Sequence, residues 1–153
     1  MTGIMPCLWF DDRIDDAIEF YTSTFKDAKV HERVRQAPDA PTFTAVIELQ
    51  GQKFLLLNGG PQYRFNEAVS FVIETDGQEE TDYFWNRLTS DGGAESMCSW
   101  CKDKFGLSWQ VTPKQLTAAL AGPDRDGANR AMQAMLQMKK IDIAVIERAY
   151  AGV

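Results

Sequence analysis

The amino-acid sequence predicts an α+β fold in which two tandem βαβββ modules are followed by C-terminal helices. Three observations support this prediction. Short aromatic and β-branched runs alternate with helical patterns, the order of the first half restarts in the second half, and helix-forming residues dominate after Pro113. We therefore place module one at residues 4–61, module two at residues 66–113 and a C-terminal helical extension at residues 114–151, all within a single domain, 1–153.

Module one begins with a short apolar and aromatic run that is typical of a strand. Asp12 then offers an N-cap for an amphipathic helix that runs to about Phe25. Alternating patterns predict further strands, and Gly59-Gly60-Pro61 ends the module. The predicted strands are Ile4 to Phe10, Val30 to Arg35, Thr42 to Leu49 and Gln52 to Asn58.

Module two repeats this order. A strand over Ala68 to Glu74 precedes a helix over Glu79 to Leu88, with Asp76 as its candidate cap. The stretch Cys98 to Pro113 then predicts a hairpin, with strands over Ser96 to Lys102 and Leu107 to Thr112. Asp12 aligns with Asp76 when the two starts are superimposed, and the acidic and aromatic residues that follow also match. The repeat spans about 50 residues.

The extension predicts three helices, over residues 114–121 and 127–139 and after a cap at Asp142. The methionines Met132, Met135 and Met138 could form a binding surface, but at helical spacing they are more often packing residues. We interpret them as packing residues. The alternative is an interaction protein that uses these helices as its working surface.

Composition restricts the classes of partner. The net charge of −6 argues against nucleic acid and anionic membranes, which attract basic surfaces. No apolar run is long enough to span a membrane, and the N-terminus lacks the pattern of a signal peptide. Three cysteines cannot all pair internally, which fits a reducing compartment. We expect a cytoplasmic protein.

The repeat and several motifs resemble the vicinal-oxygen-chelate superfamily of glyoxalase I, bleomycin-resistance proteins and extradiol dioxygenases. They are most similar to its PhnB-like, or 3-demethylubiquinone methyltransferase-like, branch. The motifs are Pro6-Cys-Leu-Trp-Phe-Asp, Glu19-Phe-Tyr, Leu57-Asn-Gly-Gly-Pro61, Phe65-Asn-Glu-Ala, Asp103-Lys-Phe-Gly-Leu-Ser-Trp-Gln110 and the run from Met132 to Ile143. The resemblance implies a half-open barrel, a homodimer and a ligand pocket on the concave face of the sheet.

Catalytic members of this superfamily hold a divalent metal with residues of the first and last strands of each module. By the resemblance, these positions fall on Pro6, Leu55, Ser70 and Gln110. Gln110 alone could be a ligand, and amide oxygen is a poor donor for zinc, nickel or iron. The chain's single histidine, His31, lies elsewhere. We therefore expect no metal and no cofactor.

Other reactive groups have ordinary explanations. Cys98 and Cys101 form a C-x-x-C on a predicted strand rather than at a helix start, and no second pair completes a zinc site. His31 lies in a charged segment that indicates a surface position. The carboxylates of residues 11–19 cluster at a helix start, where negative charge is favourable. The glycines after Asn58 lack the spacing of a nucleotide-binding loop.

The remaining candidates line a pocket. By strand parity Phe10, Ser70, Ser108 and Gln110 face the concave side, while Trp9 and Trp109 face the helices. Asn58 lies at the pocket mouth. Aromatic walls with few polar groups suit a small apolar or planar ligand. No catalytic residue is assigned.

Two functions are open. The first is binding or sequestration of a small, partly hydrophobic molecule without a metal, as in the bleomycin-resistance branch. The alternative is an enzyme, with metal-dependent lyase or dioxygenase chemistry through an unrecognised ligand set, or with the methyltransferase activity for which the branch is named.

Overall fold

The computed structural model describes residues 3–153. These residues form two compact units, which divide between Phe65 and Asn66. Both combine helices with an open four-stranded sheet, and the second unit carries three additional helices at its C-terminal end. The predicted α+β class is confirmed, and neither sheet closes into a barrel. No helix within residues 3–153 is long and apolar enough to cross a membrane.

The first unit has the predicted βαβββ order. Its elements are β1 (Cys7–Phe10), α1 (Ile14–Thr24), β2 (Lys29–Arg35), β3 (Thr42–Leu49) and β4 (Gln52–Asn58). The sheet order is β1-β4-β3-β2, in which β1 runs parallel to β4 and the other neighbours are antiparallel. The first and last strands of the unit therefore lie side by side.

A two-residue turn joins β3 to β4. Gln50 and Gly51 both have positive φ, 51° and 82°, and Leu49 pairs with Gln52 directly across the turn. Positive φ at both central residues is the geometry of the hairpin turn that matches the twist of a sheet. Since the turn fixes the register, it also decides which residues of β3 and β4 face α1.

The core of the first unit lies between α1 and one face of the sheet. Alternate residues of the strands and one stripe of the helix are buried, as their periods of 2 and 3.6 require. The buried apolar residues are Leu8, Phe10, Ile14, Ala17, Ile18, Phe20, Tyr21, Phe25, Ala45, Ile47, Leu49, Phe54 and Leu56. By contrast, every residue of β2 is exposed.

Helix α1 begins one residue later than predicted. Asp12 does not cap it. Arg13 is the N-cap residue and makes no side-chain capping bond. Instead, the backbone N–H of Ile14 donates to Asn58 Oδ1 at 3.1 Å, while Asn58 Nδ2 donates to the Thr42 carbonyl at 2.9 Å. The cap comes from β4, 44 residues away along the chain.

The second unit repeats the arrangement. Its elements are β5 (Ser70–Thr75), α2 (Gln78–Thr89), β6 (Ala94–Glu95), β7 (Trp100–Lys102), β8 (Ser108–Pro113), α3 (Lys114–Leu120), α4 (Arg125–Met135) and α5 (Ile143–Ala151). The sheet order is β5-β8-β7-β6, again with the first and last strands adjacent and parallel. Strand β6 was not predicted from the sequence, because two residues are too few to show an alternating pattern.

A buried carboxylate organises the loop between β7 and β8. Asp103 is 2% exposed, and its Oδ1 accepts from the backbone N–H groups of Phe105 and Leu107 at 2.9 and 3.1 Å. Its Oδ2 accepts from Trp109 Nε1 at 2.9 Å. One side chain thus satisfies two loop amides and the indole of a core tryptophan. Such buried charges are tolerated because they are fully hydrogen-bonded.

The C-terminal helices share a core of their own. Its buried members are Leu116, Ala119, Ala131, Ile141, Ile143 and Ile146. Met135 and Met138 pack against this core, as expected, while Met132 is more exposed. The predicted cap of the last helix is present, because Asp142 Oδ1 accepts from Val145 N at 3.1 Å. Asp76, by contrast, does not cap α2, which begins after Gly77.

Candidate ligand-binding face of the second sheet

Strand β8 separates a buried face from a polar one. Trp109 and Val111 are 3% and 0% exposed and lie on the side against which α2 packs. Ser108, Gln110 and Thr112 alternate with them and therefore point to the opposite side of the sheet. We call this side the polar face. Ser108 and Gln110 lie on the polar face and Trp109 on the opposite face, as the predicted alternation along the strand requires.

Ser70 and Gln110 meet on the polar face. Gln110 Nε2 donates to Ser70 Oγ at 2.9 Å, and both residues are half-buried. Val72 pairs with Gln110 and is 60% exposed, so the polar face is open at this point. The Ser70 oxygen accepts here, which leaves its hydroxyl hydrogen able to donate. Two polar side chains beside exposed apolar surface are the elements of a small-molecule site.

Ser108 is the most enclosed of the predicted residues. It is 1% exposed, and within residues 3–153 its Oγ is a buried oxygen that has no hydrogen-bond partner. A buried hydroxyl without a partner costs about 1–3 kcal/mol. Such a group is uncommon in folded proteins and calls for an explanation.

A cavity of about 250 Å³ lies beside Ser108. The apolar residues that line it are Ala94, Trp100 and Cys101, and the charged residues are Glu67, Glu95 and Lys102. Lys102 is the direct cross-strand neighbour of Ser108 on β7, so both side chains point to the same side of the sheet. The cavity therefore has apolar walls, one buried hydroxyl, one ammonium group and two carboxylates, of which Glu95 accepts from Trp85 Nε1 at 2.9 Å.

Glu67 and Lys102 form an ion pair at 2.5 Å. The hydrogen bond from the Lys102 ammonium, with a smaller Coulombic contribution, holds the pKa of the Glu67 carboxyl below its usual range. Glu67 lies in the turn before β5, and its side chain is 62% exposed. Sequence reasoning missed both residues. Lys102 could have been found from its position opposite Ser108 in the hairpin. That pairing can be predicted only when the length of the loop between the two strands is known.

The two cysteines of the C-x-x-C do not share a strand. Cys98 precedes β7 with φ of 57°, and only Cys101 lies on the strand. Cys101 is 1% exposed, and burial, assisted by the charges of Asp103 and Glu95, raises its pKa to about 12. Both thiols are free. A thiol with so high a pKa is a poor nucleophile at neutral pH, so Cys101 is a packing residue.

In the first unit, the predicted orientations of Phe10 and Trp9 are reversed. Phe10 pairs in register with Asn58, whose side chain contacts the start of α1, so both point toward the helix. Phe10 is 3% exposed and packs edge to face on Phe65. Trp9 points to the other side, where its Nε1 donates to the Gly60 carbonyl at 2.8 Å. The parity prediction failed because all four residues of β1, Cys-Leu-Trp-Phe, are apolar, so the sequence does not show that Leu8 and Phe10 are the buried pair.

Asn58 has a structural role in this geometry. Both ends of its amide are engaged, with Ile14 N and the Thr42 carbonyl. Gly59, the next residue, lies against the Trp9 ring so closely that a Cβ would overlap it. The sequence Asn58-Gly59-Gly60 is therefore a packed turn beside Trp9, which agrees with its interpretation as a turn rather than a nucleotide-binding loop.

The four superfamily metal positions carry few donors. Pro6 and Leu55 have hydrocarbon side chains, while Ser70 and Gln110 are bonded to each other. Within residues 3–153, no three His, Cys, Asp or Glu side chains cluster closely enough to hold a metal ion. His31 lies on β2, where its Nε2 is 2.6 Å from Glu48 Oε2 on the exposed side of the sheet.

The clustered carboxylates at α1 also have structural partners. Asp15 accepts from both the backbone N–H and the hydroxyl of Thr42, at 3.0 and 2.6 Å, and it pairs with Arg33 at 3.1 Å. The Thr42 hydroxyl is the main reason that the pKa of Asp15 lies below its usual value. The side chain thus ties α1 to the sheet, as its interpretation as a structural residue requires.

Two βαβββ units, each with parallel first and last strands, define the vicinal-oxygen-chelate superfamily, the class of glyoxalase and bleomycin-resistance proteins. Comparison with known proteins assigns the chain more narrowly. The model of the family described as 3-demethylubiquinone-9 3-methyltransferase matches residues 2–112. The chain belongs to this PhnB-like family. The match ends with β8, so α3, α4 and α5 lie beyond it.

Solved structures share the fold. The PhnB protein from Bacillus cereus is 26% identical with a TM-score of 0.67, over 73% of this chain and 99% of that one. Protein PA1353 from Pseudomonas aeruginosa is 18% identical with a TM-score of 0.58, over 74% and 98%. The fosfomycin resistance protein FosX from Listeria monocytogenes is 15% identical with a TM-score of 0.54, over 74% and 91%. A search of curated proteins gave no significant match.

Proposed function

We propose that this protein binds a small, partly hydrophobic molecule, without a metal, on the polar face of its second sheet. The observation that carries the proposal is the hydrogen-bonded pair of Ser70 and Gln110 beside the exposed side chain of Val72. Ligand sites combine apolar surface with a few polar groups that fix orientation. Ser108, on the same face, supplies a further hydroxyl.

The metal-free part of the proposal depends on the donor set. A transition-metal centre needs three or four converging imidazole, thiolate or carboxylate donors. At the superfamily positions this chain offers two hydrocarbon side chains, one hydroxyl and one amide. The residues do not fit a metal, so the proposed binding uses protein side chains alone. A site without an ion selects its ligand by shape and hydrogen bonding.

The proposal also includes a cytoplasmic homodimer with no nucleic-acid partner. The dimer rests on the resemblance to the superfamily, and the absence of nucleic acid on the net charge of −6. Light scattering coupled to size-exclusion chromatography measures the mass directly. A single species at the mass of one 17.2 kDa chain would contradict the dimer.

Two measurements test the binding function. Elemental analysis of the purified protein after dialysis should find less than about a tenth of an equivalent of any transition metal, since the expected donors are missing. Ligand-observed NMR with small planar aromatic compounds should then detect binders that Gln110→Ala weakens. Gln133→Ala is the matched control, because Gln133 is an exposed glutamine on α4.

The outcomes separate the alternatives. About one equivalent of metal per chain would overturn the metal-free proposal. Binders that respond equally to both glutamine variants would place the ligand elsewhere on the protein. A thermal shift with S-adenosylmethionine, weakened by Gln110→Ala, would instead favour the activity for which the family is named.

A further inference from the structure

We propose that the cavity beside Ser108 binds a small carboxylate, and that the Glu67 side chain acts as a built-in competitor for the place of that carboxylate. The inference rests on the proposed function and narrows it to a ligand class. It is carried by three groups in one cavity: the unpartnered Ser108 hydroxyl, the Lys102 ammonium and the Glu67 carboxylate.

The Ser108 hydroxyl requires an acceptor. It is buried and has no partner within residues 3–153, and a hydroxyl in that state destabilises the free protein. Lys102 projects from the facing position on β7 and can only donate. A hydroxyl beside an ammonium therefore favours a ligand group that accepts from both. A carboxylate does so with two oxygens, through charge-assisted bonds that are about twice as strong as neutral ones.

Glu67 shows that a carboxylate already reaches Lys102. Glu67 lies in an exposed turn, and its Oε1 is 2.5 Å from Lys102 Nζ. Exposed ion pairs of this kind contribute only about 0–1 kcal/mol, so a ligand can displace this one at small cost. A ligand that replaces Glu67 keeps the ion pair and adds the bond to Ser108. The ligand carboxylate thus gains one hydrogen bond, to the Ser108 hydroxyl, that the Glu67 carboxylate does not make.

The cavity also limits the body of the ligand. Its volume of about 250 Å³ is below the roughly 300–1,000 Å³ of sites for drug-sized ligands. Ala94, Trp100 and Cys101 supply its apolar surface. These walls suit a compact apolar group of about one ring. Benzoate has this chemistry, and benzamide is its neutral counterpart with the same shape.

The test compares the affinities of benzoate and benzamide by NMR titration of the full-length protein. Benzoate should bind more tightly than benzamide by about tenfold, the size of one charge-assisted hydrogen bond. Ser108→Ala should weaken benzoate by about the same factor and leave benzamide less affected. Ser23→Ala is the matched control, since Ser23 is an exposed serine on α1 that does not line this cavity. It should leave both affinities unchanged.

Removal of the competitor gives the second arm. Glu67→Gln should bind benzoate up to about fivefold more tightly, the equivalent of a surface ion pair. Lys102→Met should lose most of the preference for benzoate. Glu79→Gln, an exposed control on α2, should change nothing. Ser108→Ala should not unfold the protein, because it removes an unpartnered hydroxyl, and its melting temperature shows whether it is folded.

Two outcomes would overturn the inference. Equal affinities for benzoate and benzamide would show a site without carboxylate preference, and the broader binding function would stand. Weaker benzoate binding by Glu67→Gln would show that Glu67 supports the ligand rather than competes with it. If neither compound binds, the carboxylate site is wrong, and the aromatic-compound titrations with Gln110→Ala decide the broader function separately.

Discussion

The substitution Asp103→Asn tests the buried carboxylate that organises the β7–β8 loop. Oδ1 accepts from two backbone N–H groups and Oδ2 accepts from Trp109 Nε1, so each of these three bonds uses the side chain as an acceptor. An asparagine keeps one acceptor oxygen and replaces the other with an NH₂ donor. If its oxygen takes the two loop amides, the NH₂ group faces the indole N–H of Trp109.

The expected cost follows from this geometry. The indole N–H of Trp109 and the new NH₂ group would then face each other in a buried site without an acceptor. Each unsatisfied donor costs about 1–3 kcal/mol. We therefore expect Asp103→Asn to lower the free energy of unfolding by about 2–6 kcal/mol. For a protein of this size that is a fall of about 4–24 °C in melting temperature. The substitution keeps the volume of the side chain, so the loss measures hydrogen bonding rather than packing.

Urea denaturation followed by circular dichroism measures this loss, and two variants interpret it. Asp39→Asn changes an exposed aspartate in the loop between β2 and β3 and should alter stability by less than about 0.5 kcal/mol. In a Trp109→Phe background the indole donor is gone, so Asp103→Asn should cost at least about 1 kcal/mol less. A cost that is the same in both backgrounds would refute the role of the Trp109 bond. A cost near zero would refute the reasoning as a whole.

Three further predictions concern single side chains. The pKa of Asp15 is lowered in the folded protein, so the unfolded chain binds more protons. The contribution of Asp15 to stability is therefore complete above the unfolded pKa of about 3.8 and is lost as the pH falls through the folded pKa. Asp15→Asn should flatten this part of the curve of stability against pH, and an unchanged curve would contradict the prediction. Asn58→Asp keeps the acceptor for Ile14 but loses the donor to Thr42, so calorimetry should show a loss of about 1–3 kcal/mol, whereas a stability equal to that of the native chain would mean that the amide cap is unimportant. Cys101, with a pKa of about 12, should stay unmodified by iodoacetamide at pH 8 until urea unfolds the protein, and mass spectrometry of the digest would disprove this by finding native-state labelling.

The strands and helices were predictable where the pattern is local. Thr42–Leu49 and Gln52–Asn58 have the predicted bounds because each alternates cleanly and a two-residue turn fixes their register. The cap of α5 was predictable for the same reason, since Asp142 and Val145 are three residues apart. The α1 cap was not, because Asn58 reaches it from the far end of the unit.

The candidate site was predictable in its β8 half. Ser108 and Gln110 share the polar face because side chains alternate along β8. Ser70 lies on the same face because it pairs in register with Ser108. The cavity itself depends on Glu67 and Lys102, which are 35 positions apart and ordinary surface charges in the sequence. Parity also gave the wrong face for Phe10, since the four residues of β1 are all apolar and their sequence does not distinguish the two faces.

The adjacent parallel strands of each unit have a consequence for biosynthesis. Cys7 pairs with Leu55, and Ser70 with Ser108, so the strand made first in each unit lies beside the strand made last. A nascent chain on the ribosome cannot complete either sheet until that last strand has emerged. Pairings so distant in sequence slow folding, because the loop must close before any contact is formed. Until then β1 and β5 present unpaired edges, and these are the intervals in which a growing chain is most exposed to aggregation.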